Sequence, residues 1–266
     1  MTINVFGKLP SSTDGFSYNS ISSKDRHLWL LKSPVSFLPS LKDQFIDIPY
    51  LDGVIDVGVA LSSRSFNLQC AVHATTEAEL RTRLRSIAHW LNPLNGLKNL
   101  IFHNEDDKVY QARIATTTFI DANIQASQGM LTLPFICPDP HAYAIVDEST
   151  VEIVASFTFT RLKGNVNSYP IIQLKGTCDQ NSTIGYKINN VVTRYCGDLA
   201  IGETLTIDHK DMSILKSSVG VETNVLQYLM DYDFPMLSIG DNTIEIVTTG
   251  AATFEEITLT ARSRWI

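Results

Sequence analysis

The sequence predicts a mainly β protein with one helix, in which an α+β first half is followed by a β-sandwich second half. Three observations lead to this prediction. Short segments of alternating apolar and polar residues, bounded by turn residues, recur along the 266 residues. Helical periodicity occurs in one place, between Thr76 and Pro93. After about residue 150, strand patterns follow one another without a helix, which is typical of a sandwich of the jelly-roll type.

A tight hairpin followed by a long strand is predicted in the first half. Asp52-Gly53 tolerates the positive φ of a tight turn, and it lies between Ile46 and Ile48 on one side and the apolar run 54–59 on the other. Residues 64–73 then alternate polar and apolar side chains. One face of this strand is therefore expected to be buried.

The predicted helix has its own start and stop signals. Thr76 is a good N-cap, and Glu79 three residues later completes a capping box. Asn92-Pro93 ends the helix because proline disfavours helical geometry at the residue before it. The apolar stripe of the helix consists of Leu80, Leu84, Ile87 and Leu91. Off this stripe, on a solvated face or in a contact between subunits, we expect Arg81, Arg83 and Arg85.

The remaining strands of the first half are predicted from short apolar runs. They lie near residues 3–6 and at 27–31, 97–103, 109–114, 116–120 and 129–137. Pro138-Asp139-Pro140 ends this half, and the composition changes over the next ten residues. We therefore place a domain boundary between residues 1–143 and residues 144–266.

The second half contains strand patterns at short, fairly even spacing. These strands are predicted at residues 151–160, 169–175, 184–189, 191–195, 204–208, 213–216, 225–231, 243–247 and 256–261. Turn residues separate them, including Asn189-Asn190, Gly202 and Gly240-Asp241-Asn242.

Composition argues against several functional classes. Hydrophobic residues make up 44% of the chain and charged residues 18%, which is ordinary for a globular protein. No apolar run approaches the length of a membrane span, and the N-terminus lacks a secretory signal pattern, so we expect synthesis in a cytoplasm and no membrane insertion. The net charge of −7 falls mostly after Val146. An acidic chain without a basic stripe lacks the charge pattern of a nucleic-acid binder.

No pattern of catalytic, cofactor-binding or metal-binding residues is found, so we expect no enzyme, cofactor or metal site. The cysteines are far apart in sequence and are expected to be free thiols. His103 with Asp106-Asp107 is interpreted as a solvated hairpin tip, and Asp208-His209 with Asp211 as a β-turn. A sugar-stacking platform could be formed by tyrosines of the second half, although most of them are expected in the core or an interface: Tyr169, Tyr186, Tyr195, Tyr228 and Tyr232.

The order of these features resembles the distal tail (Dit) proteins of siphophages, the long, flexible-tailed bacteriophages. In the first half the matching pieces are Ile48-Pro49, Leu51-Asp52-Gly53, Arg64-x-Phe66, the helix at 76–93, Ile101-Phe102, Tyr110-x-Ala112-Arg113 and Phe135-x-Cys137-x-Asp139-Pro140. In the second half they are Phe234-Pro235-x-Leu237-x-x-Gly240-x-Asn242-x-Ile244 and the final strand to Trp265. The resemblance covers the chain from about Asp14 to its end.

The resemblance implies the architecture and location of a non-enzymatic virion protein. Residues 1–143 would form a domain like that of tail-tube proteins, with a hairpin arm and a flanking helix. Residues 144–266 would form a galectin-like or carbohydrate-module-like β-sandwich. The chain has no large insertion in this second domain, so it resembles the short form that lacks extra sugar-binding modules.

The resemblance also implies partners at the distal end of the phage tail. Copies of the chain would close into a hexameric ring, or two such rings back to back, that joins the tail-tube protein to the hub protein of the tail tip or baseplate. In some phages the ring carries receptor-binding proteins, and the genomic DNA leaves through its lumen without specific binding.

The predicted hairpin suits an inter-subunit arm because its strand edges can add to the sheet of a neighbour. The residues assigned to this arm are Ile46, Ile48, Pro49, Tyr50, Asp52, Gly53 and Val54. An ordinary internal hairpin is the alternative reading. Two other functions stay open, namely a carbohydrate-binding protein for host recognition and a tail-tube protein, which would polymerise rather than stop at a ring.

Overall fold

The structure is a computed structural model, and it describes residues 15–32, 38–50, 52–115, 120–123 and 128–266. Three of the predictions fall outside these residues: the strand near 3–6, most of the strand at 116–120, and Leu51 of the hairpin. The chain divides into two compact units, of which the first ends at Ile145 and the second spans Val146–Trp265. Within the described residues, both units are built mainly of strands, and the first contains the one α-helix.

The first unit contains eleven described strands. They are β1 (Phe16–Tyr18), β2 (Ile21–Ser22), β3 (Leu28–Leu30), β4 (Leu41–Ile46), β5 (Ile55–Leu61), β6 (Arg64–His73), β7 (Lys98–Phe102), β8 (Lys108–Ile114), β9 (Ile120–Asn123), β10 (Gln128–Cys137) and β11 (Ala142–Ala144). Its main sheet has the order β2-β1-β7-β8-β10-β6-β3, while β9 lies beside β10 and β11 beside β8. Among the residues that the structure describes, β4 and β5 pair with each other alone, as a separate two-stranded sheet.

The long strand β6 is the centre of the first unit. Its bounds are those predicted, and its side chains alternate between buried and exposed from Arg64 to Cys70. It pairs with β10 along its whole length, so that Arg64 lies opposite Cys137 and His73 opposite Gln128. This ladder places the buried faces of both strands in one core.

The helix α1 (Glu77–Trp90) begins as predicted at Thr76, whose hydroxyl accepts a hydrogen bond from the Glu79 backbone N–H at 3.2 Å. The Glu79 carboxylate accepts from the backbone N–H and the hydroxyl of Thr75, at 2.8 Å and 2.5 Å, and not from Thr76 as a capping box would require. The bond from the Thr75 hydroxyl is the main reason that the pKa of Glu79 falls to about 2. Of the predicted stripe, Leu80, Ile87 and Leu91 are buried and Leu84 is half-buried.

Aromatic side chains fasten this helix to the sheet. The Trp90 ring stacks on Phe16 with centroids 6.0 Å apart, and its indole N–H donates to the Tyr18 carbonyl at 3.1 Å. Tyr18 in turn contacts Phe135 of β10 with centroids 5.3 Å apart. Large aromatic rings contribute strongly to the stability of a core, and the Tyr18 carbonyl provides the hydrogen-bond acceptor that the buried indole N–H needs. A second aromatic cluster joins β6, β7 and β8 and consists of Phe66, Phe102 and Tyr110.

The second unit is a sandwich of two antiparallel sheets. Its strands are β12 (Ser149–Glu152), β13 (Ser156–Arg161), β14 (Ile171–Thr177), β15 (Thr183–Ile188), β16 (Val191–Tyr195), β17 (Thr204–Asp208), β18 (Ser213–Ser218), β19 (Val221–Asn224), β20 (Gly240–Thr249), β21 (Thr253–Thr260) and β22 (Arg264–Trp265). One sheet has the order β12-β21-β14-β17-β18-β19 and the other β13-β20-β15-β16. Inward side chains of both sheets form one core, including Ile172, Leu174, Ile184, Tyr186, Ile244 and Leu259.

The predicted fold class, mainly β with an α+β first half and a sandwich second half, is confirmed, but four local predictions besides the capping box are wrong. The tight turn at Asp52-Gly53 is instead an eight-residue connection between β4 and β5. The predicted strand 151–160 is two strands, β12 and β13, that belong to different sheets. Residues 225–231 form a short 3-10 helix (Leu226–Tyr228) followed by a single bridge of Leu229 to Tyr195. Gly240-Asp241-Asn242 lies inside β20 and is not a turn between strands.

His209 occupies the turn after β17, as predicted, but it is fully buried. Its Nε2 lies 2.5 Å from the Tyr186 hydroxyl and its Nδ1 lies 2.6 Å from the Pro235 carbonyl oxygen. Both contacts are satisfied by a neutral imidazole that donates to Pro235 and accepts from Tyr186. Burial therefore lowers the pKa of His209 to about 4, against the opposing effects of the Pro235 carbonyl and Asp208.

Because His209 is buried and neutral, we expect the folded protein to lose stability in acid. Below the unfolded pKa of 6.5, the unfolded chain binds a proton at His209 that the folded chain accepts only near pH 4. We expect the free energy of unfolding to fall by about 2 kcal/mol between pH 7.5 and pH 5 through this residue. The measurement is hydrogen exchange at the β15 amides, corrected for the intrinsic pH dependence of exchange. A His209→Asn variant should be less stable at pH 7.5 and lose less on acidification, and an equal loss in both proteins would contradict this account.

Candidate inter-subunit arm

The hairpin of β4 and β5, with the connection between them, forms an arm of residues 41–61 that exposes apolar side chains on both strands and in the described part of the connection. Phe45 is 57% exposed, Val57 53% and Val59 62%. Every residue of β4, and every residue of β5 except Leu61, is exposed. A soluble monomer seldom exposes so many neighbouring apolar side chains, and a two-stranded hairpin alone is at best marginally stable.

A bulge divides the arm into two parts whose apolar faces are opposite. Gln44 pairs with Gly58, but the next residue, Phe45, pairs with Asp56, so Val57 is the inserted residue. Paired residues share a face, and a one-residue step exchanges the faces of a strand. On the base side, the face of Leu41 and Asp43 also carries Val59 and Leu61. Phe45, just past the bulge, continues this face, and beyond it Ile46 and Ile55 lie on the opposite face.

The bulge is held by local interactions. The backbone N–H of Gly58 donates to the Asp56 carboxylate at 2.9 Å. Gly58 has φ of +141°, a conformation that a residue with a side chain adopts only with strain. The step in the arm is therefore a built-in feature of the sequence Asp56-Val57-Gly58.

The residues assigned to the arm from sequence all lie at its tip or next to it. Ile46 ends β4, and Ile48, Pro49, Tyr50, Asp52, Gly53 and Val54 belong to the connection. Gly53 has the positive φ that was expected, +89°, and Tyr50 has one as well, +69°. Tyr50 is fully exposed at this tip. Positive φ is uncommon for a residue as large as tyrosine, and such positions concentrate at functional sites.

Residues nearer the base of the arm were missed from sequence. They are Leu41, Phe45, Ile55, Val57, Val59 and Leu61, which are at least partly exposed. The run Val54-Ile55-Asp56-Val57-Gly58-Val59 was read as one strand of a hairpin, and of its apolar residues only Val54 was assigned to the arm. A signal was available, because that run has more apolar residues than the single buried face of a hairpin strand needs.

The three helix arginines have different surroundings. Arg83 is half-buried, donates to the carbonyl of His73 and pairs with Glu79 at 2.5 Å, so that it ties the helix to the end of β6. Arg81 pairs with Glu77 at 2.6 Å across one exposed turn, and Arg85 is exposed. Exposed pairs of this kind contribute little stability. The structure brings none of the three arginines to the arm's strands as a paired partner among the described residues.

The histidine, acidic and cysteine residues considered as metal-binding or catalytic candidates do not come together in one site among the described residues. His103 Nε2 lies 3.1 Å from the Ser17 hydroxyl, and burial is the main reason that its pKa is lowered. The described residues contain no group of three or more His, Cys, Asp or Glu side chains that could hold a metal. All four cysteines have free thiols. Nor does any helix in the described ranges have the length and apolar character needed to cross a membrane.

The tyrosines of the second unit do not share one surface. Tyr186 and Tyr195 are core residues. Tyr228 and Tyr232 are exposed, and Tyr169 lies under the guanidinium of Arg264 at 4.7 Å from its ring centroid. Two of the five are therefore unavailable for stacking on a sugar.

One protein-family model matches a large part of the first unit. Residues 29–137 match the family described as phage tail protein RIFT-related domain. The matched range begins at β3 and ends with β10, and it includes the whole arm and the helix. No curated protein has a sequence that matches this chain.

Comparison with solved structures extends the likeness to both units. The crystal structure of the Dit protein of phage SPP1, described as a paradigm of the hub adsorption apparatus in phages that infect Gram-positive bacteria, superimposes with a TM-score of 0.75. The two chains are 15% identical, and the match covers 95% of this chain and 99% of the other. A chain of the phage p2 baseplate in its activated conformation with Sr matches with a TM-score of 0.51 and 6% identity, over 93% of this chain and 98% of that one. The resemblance to distal tail proteins is confirmed by the family match and by the shared fold.

The exposure of the arm predicts that its apolar residues contribute little to the stability of a single copy. We expect the double variant Phe45→Ser/Val59→Ser to unfold within about 0.5 kcal/mol of the unchanged protein, because exposed side chains have little burial to lose. Urea unfolding of dilute protein measures this. A matched core variant, Leu68→Ala in β6, should lose about 2–5 kcal/mol. A loss of similar size in the arm variant would show that the arm packs on its own unit.

Proposed function

We propose that this chain is a distal tail protein of a siphophage, located in the virion at the distal end of the tail. Its copies close into a hexameric ring that joins the tail tube to the tail tip or baseplate and lets the DNA pass. The observation that carries this proposal is the arm, a hairpin with uncovered apolar side chains inside the region that matches the phage tail family. The function is mechanical, through shape and packing.

The arm supports self-association for two reasons. Its apolar surface loses contact with water only if another polypeptide covers it, and burial of such surface contributes about 25 cal/mol per Å². Its two strands also have free outer edges, because within the described residues they pair only with each other. Monomers usually protect such edges, since an exposed edge invites pairing with another chain.

A ring follows from the kind of contact that an arm makes. The arm of one copy binds a surface of the next copy that differs from the arm itself, so the contact is heterologous. A heterologous contact generates a closed ring when its rotation closes, and a filament when it does not. A sixfold ring agrees with the distal tail proteins that the sequence resembles.

The charge of the chain fits a passage for DNA that does not hold it. The net charge is −7, and an acidic surface repels the phosphate backbone. We assign no residue to the lumen. The partners above and below the ring are the tail-tube protein and the hub protein of the tail tip, and the second unit is the part available for receptor-binding proteins.

This proposal predicts that ring formation depends on the arm. The variant Phe45→Ser/Val59→Ser should remain a folded monomer under conditions in which the unchanged protein forms hexamers, because the apolar surface that drives association is lost. Native mass spectrometry and negative-stain imaging give the copy number and the shape.

The matched control is Ile201→Ser/Val219→Ser in the second unit, where both side chains are as exposed as those of the arm. This control should form rings normally. Deletion of residues 46–58 should likewise leave a folded protein that does not assemble. A purified chain that stays monomeric at high concentration and in the presence of the tail-tube protein would contradict the proposal.

A further inference from the structure

The connection between β19 and β20 in the second unit carries a concentration of exposed apolar side chains. Along residues 228–239, which we call the Tyr–Met strip, most of the exposed residues are tyrosine, methionine or isoleucine. These side chains are Tyr228, Met230 (50% exposed), Tyr232 (66% exposed), Met236 and Ile239. Single apolar residues on a surface are ordinary, but a contiguous group of them marks an interaction site.

The backbone of the Tyr–Met strip is fixed to the sandwich at both ends. Leu229 forms a bridge to Tyr195 of β16. Leu237 exchanges two backbone hydrogen bonds with Ser168, at 2.9 Å and 3.0 Å. The side chains of Leu229, Pro235 and Leu237 are buried between the exposed ones. Because the backbone is held in this way, little conformational freedom is lost when a partner binds the exposed side chains.

The middle of the strip is fixed through one residue of β16. The carbonyl of Arg194 accepts a hydrogen bond from the backbone N–H of Met230 at 2.9 Å. The guanidinium of Arg194 donates to both carboxylate oxygens of Asp231, at 2.7 Å and 3.0 Å. Tyr232 is the next residue and is the most exposed of the strip's apolar side chains. Met230 and Tyr232 therefore form the centre of this surface.

The strip is acidic as well as apolar. Between residues 221 and 241 the sequence contains Glu222, Asp231, Asp233 and Asp241, and it contains no lysine or arginine. The ion pair with Arg194 balances the charge of Asp231, while Asp233 is exposed. A surface that carries lysine or arginine residues around an apolar pocket is complementary to this combination.

We infer that the Tyr–Met strip is the docking surface for a second protein of the tail, whose contact surface carries basic residues around an apolar pocket. This inference rests on the proposed function, because the partner is a component of the same tail. Tyrosine and methionine are enriched in protein interfaces, and the flexible thioether of methionine adapts to the shape of a pocket. The partner's basic residues lie opposite Asp233 in this arrangement.

Other occupants fit the strip less well. Nucleic acids and anionic polymers of a cell surface are repelled by its acidic residues. A carbohydrate is bound through hydrogen bonds around a stacked ring, and Met230, Met236 and Ile239 offer no strong donor or acceptor. In a symmetric contact between two copies of the chain, the acidic strip would face itself. Like charges brought together in an interface reduce affinity, which favours a different and basic protein.

Binding of purified proteins is the first test of the inference. The other tail proteins of the same phage are purified one at a time and offered to immobilised rings, with binding followed by biolayer interferometry. We expect at least one of them to bind about tenfold more weakly to Met230→Ser/Tyr232→Ser, since residues at the centre of an interface carry most of its binding energy. Both the unchanged protein and this variant are expected to form rings.

The matched control is Ile201→Ser/Val219→Ser, whose two side chains in the second unit are at least as exposed. This control should change the same affinity less than about twofold. Asp233→Asn should weaken binding about threefold at about 50 mM NaCl and less at about 500 mM, because salt screens the attraction. The inference would be overturned if every tail protein bound the double variant and the unchanged ring equally well, or if none bound.

A cross-linking experiment locates the contact in the assembled tail. A photoreactive benzoyl derivative of phenylalanine replaces Tyr232 in phage particles, which are irradiated and digested for mass spectrometry. Cross-links should join residue 232 to another tail protein, close to lysine or arginine residues. Cross-links to other copies of this chain alone, to host carbohydrate alone, or to nothing would refute the inference. Absence of this chain from the tails of unchanged particles would instead contradict the proposed function.

Discussion

The constraint on which the first unit depends is the pairing of β6 with β10. The two strands are matched over ten residues, from Arg64 opposite Cys137 to His73 opposite Gln128. Every other feature of the unit is placed relative to this ladder. Arg83 of α1 donates to the carbonyl of His73, the last residue of β6, and so joins the helix to that strand. The aromatic cluster of Tyr18 and Trp90 packs on Phe135 of β10. Two residues separate the end of the arm at Leu61 from the start of β6 at Arg64, so the same ladder fixes the position of the base of the arm.

The most regular elements were predictable from sequence because their pattern is local. The bounds of β6 and the start of α1 follow from alternation and from the Thr76 cap, and tertiary contacts support the same choice. The turn predicted at Gly240-Asp241-Asn242 failed for a tertiary reason. The Asn242 side chain is fully buried, accepts from Asn189 at 2.7 Å and from the Ser238 N–H at 2.8 Å, and donates to the Gly240 carbonyl at 2.9 Å. Turn-forming residues served here as hydrogen-bond partners inside a sheet.

The candidate site was predicted in part. A hairpin at residues 45–59 was expected, with exposed residues at its tip, but the length of its connection and the exposed apolar residues nearer its base were not. Periodicity shows that a strand has an apolar face and cannot show whether its own chain covers that face. The step at Gly58 was also invisible, since a bulge is defined by the register between two strands and neither strand reveals it alone.

The bulge gives the arm a property that an unbroken hairpin lacks. A regular two-stranded ribbon with one apolar face can bury that face against one flat surface. It can also bury the face against the same face of an identical ribbon, in a symmetric pair. Here the apolar face changes sides between the base, near Leu41 and Val59, and the tip, near Ile46 and Ile55. Two identical arms laid face to face would match apolar to apolar over one part only. The geometry therefore disfavours isologous pairing of arms and favours a surface of different shape on the next copy, which is the condition for a ring that closes on itself.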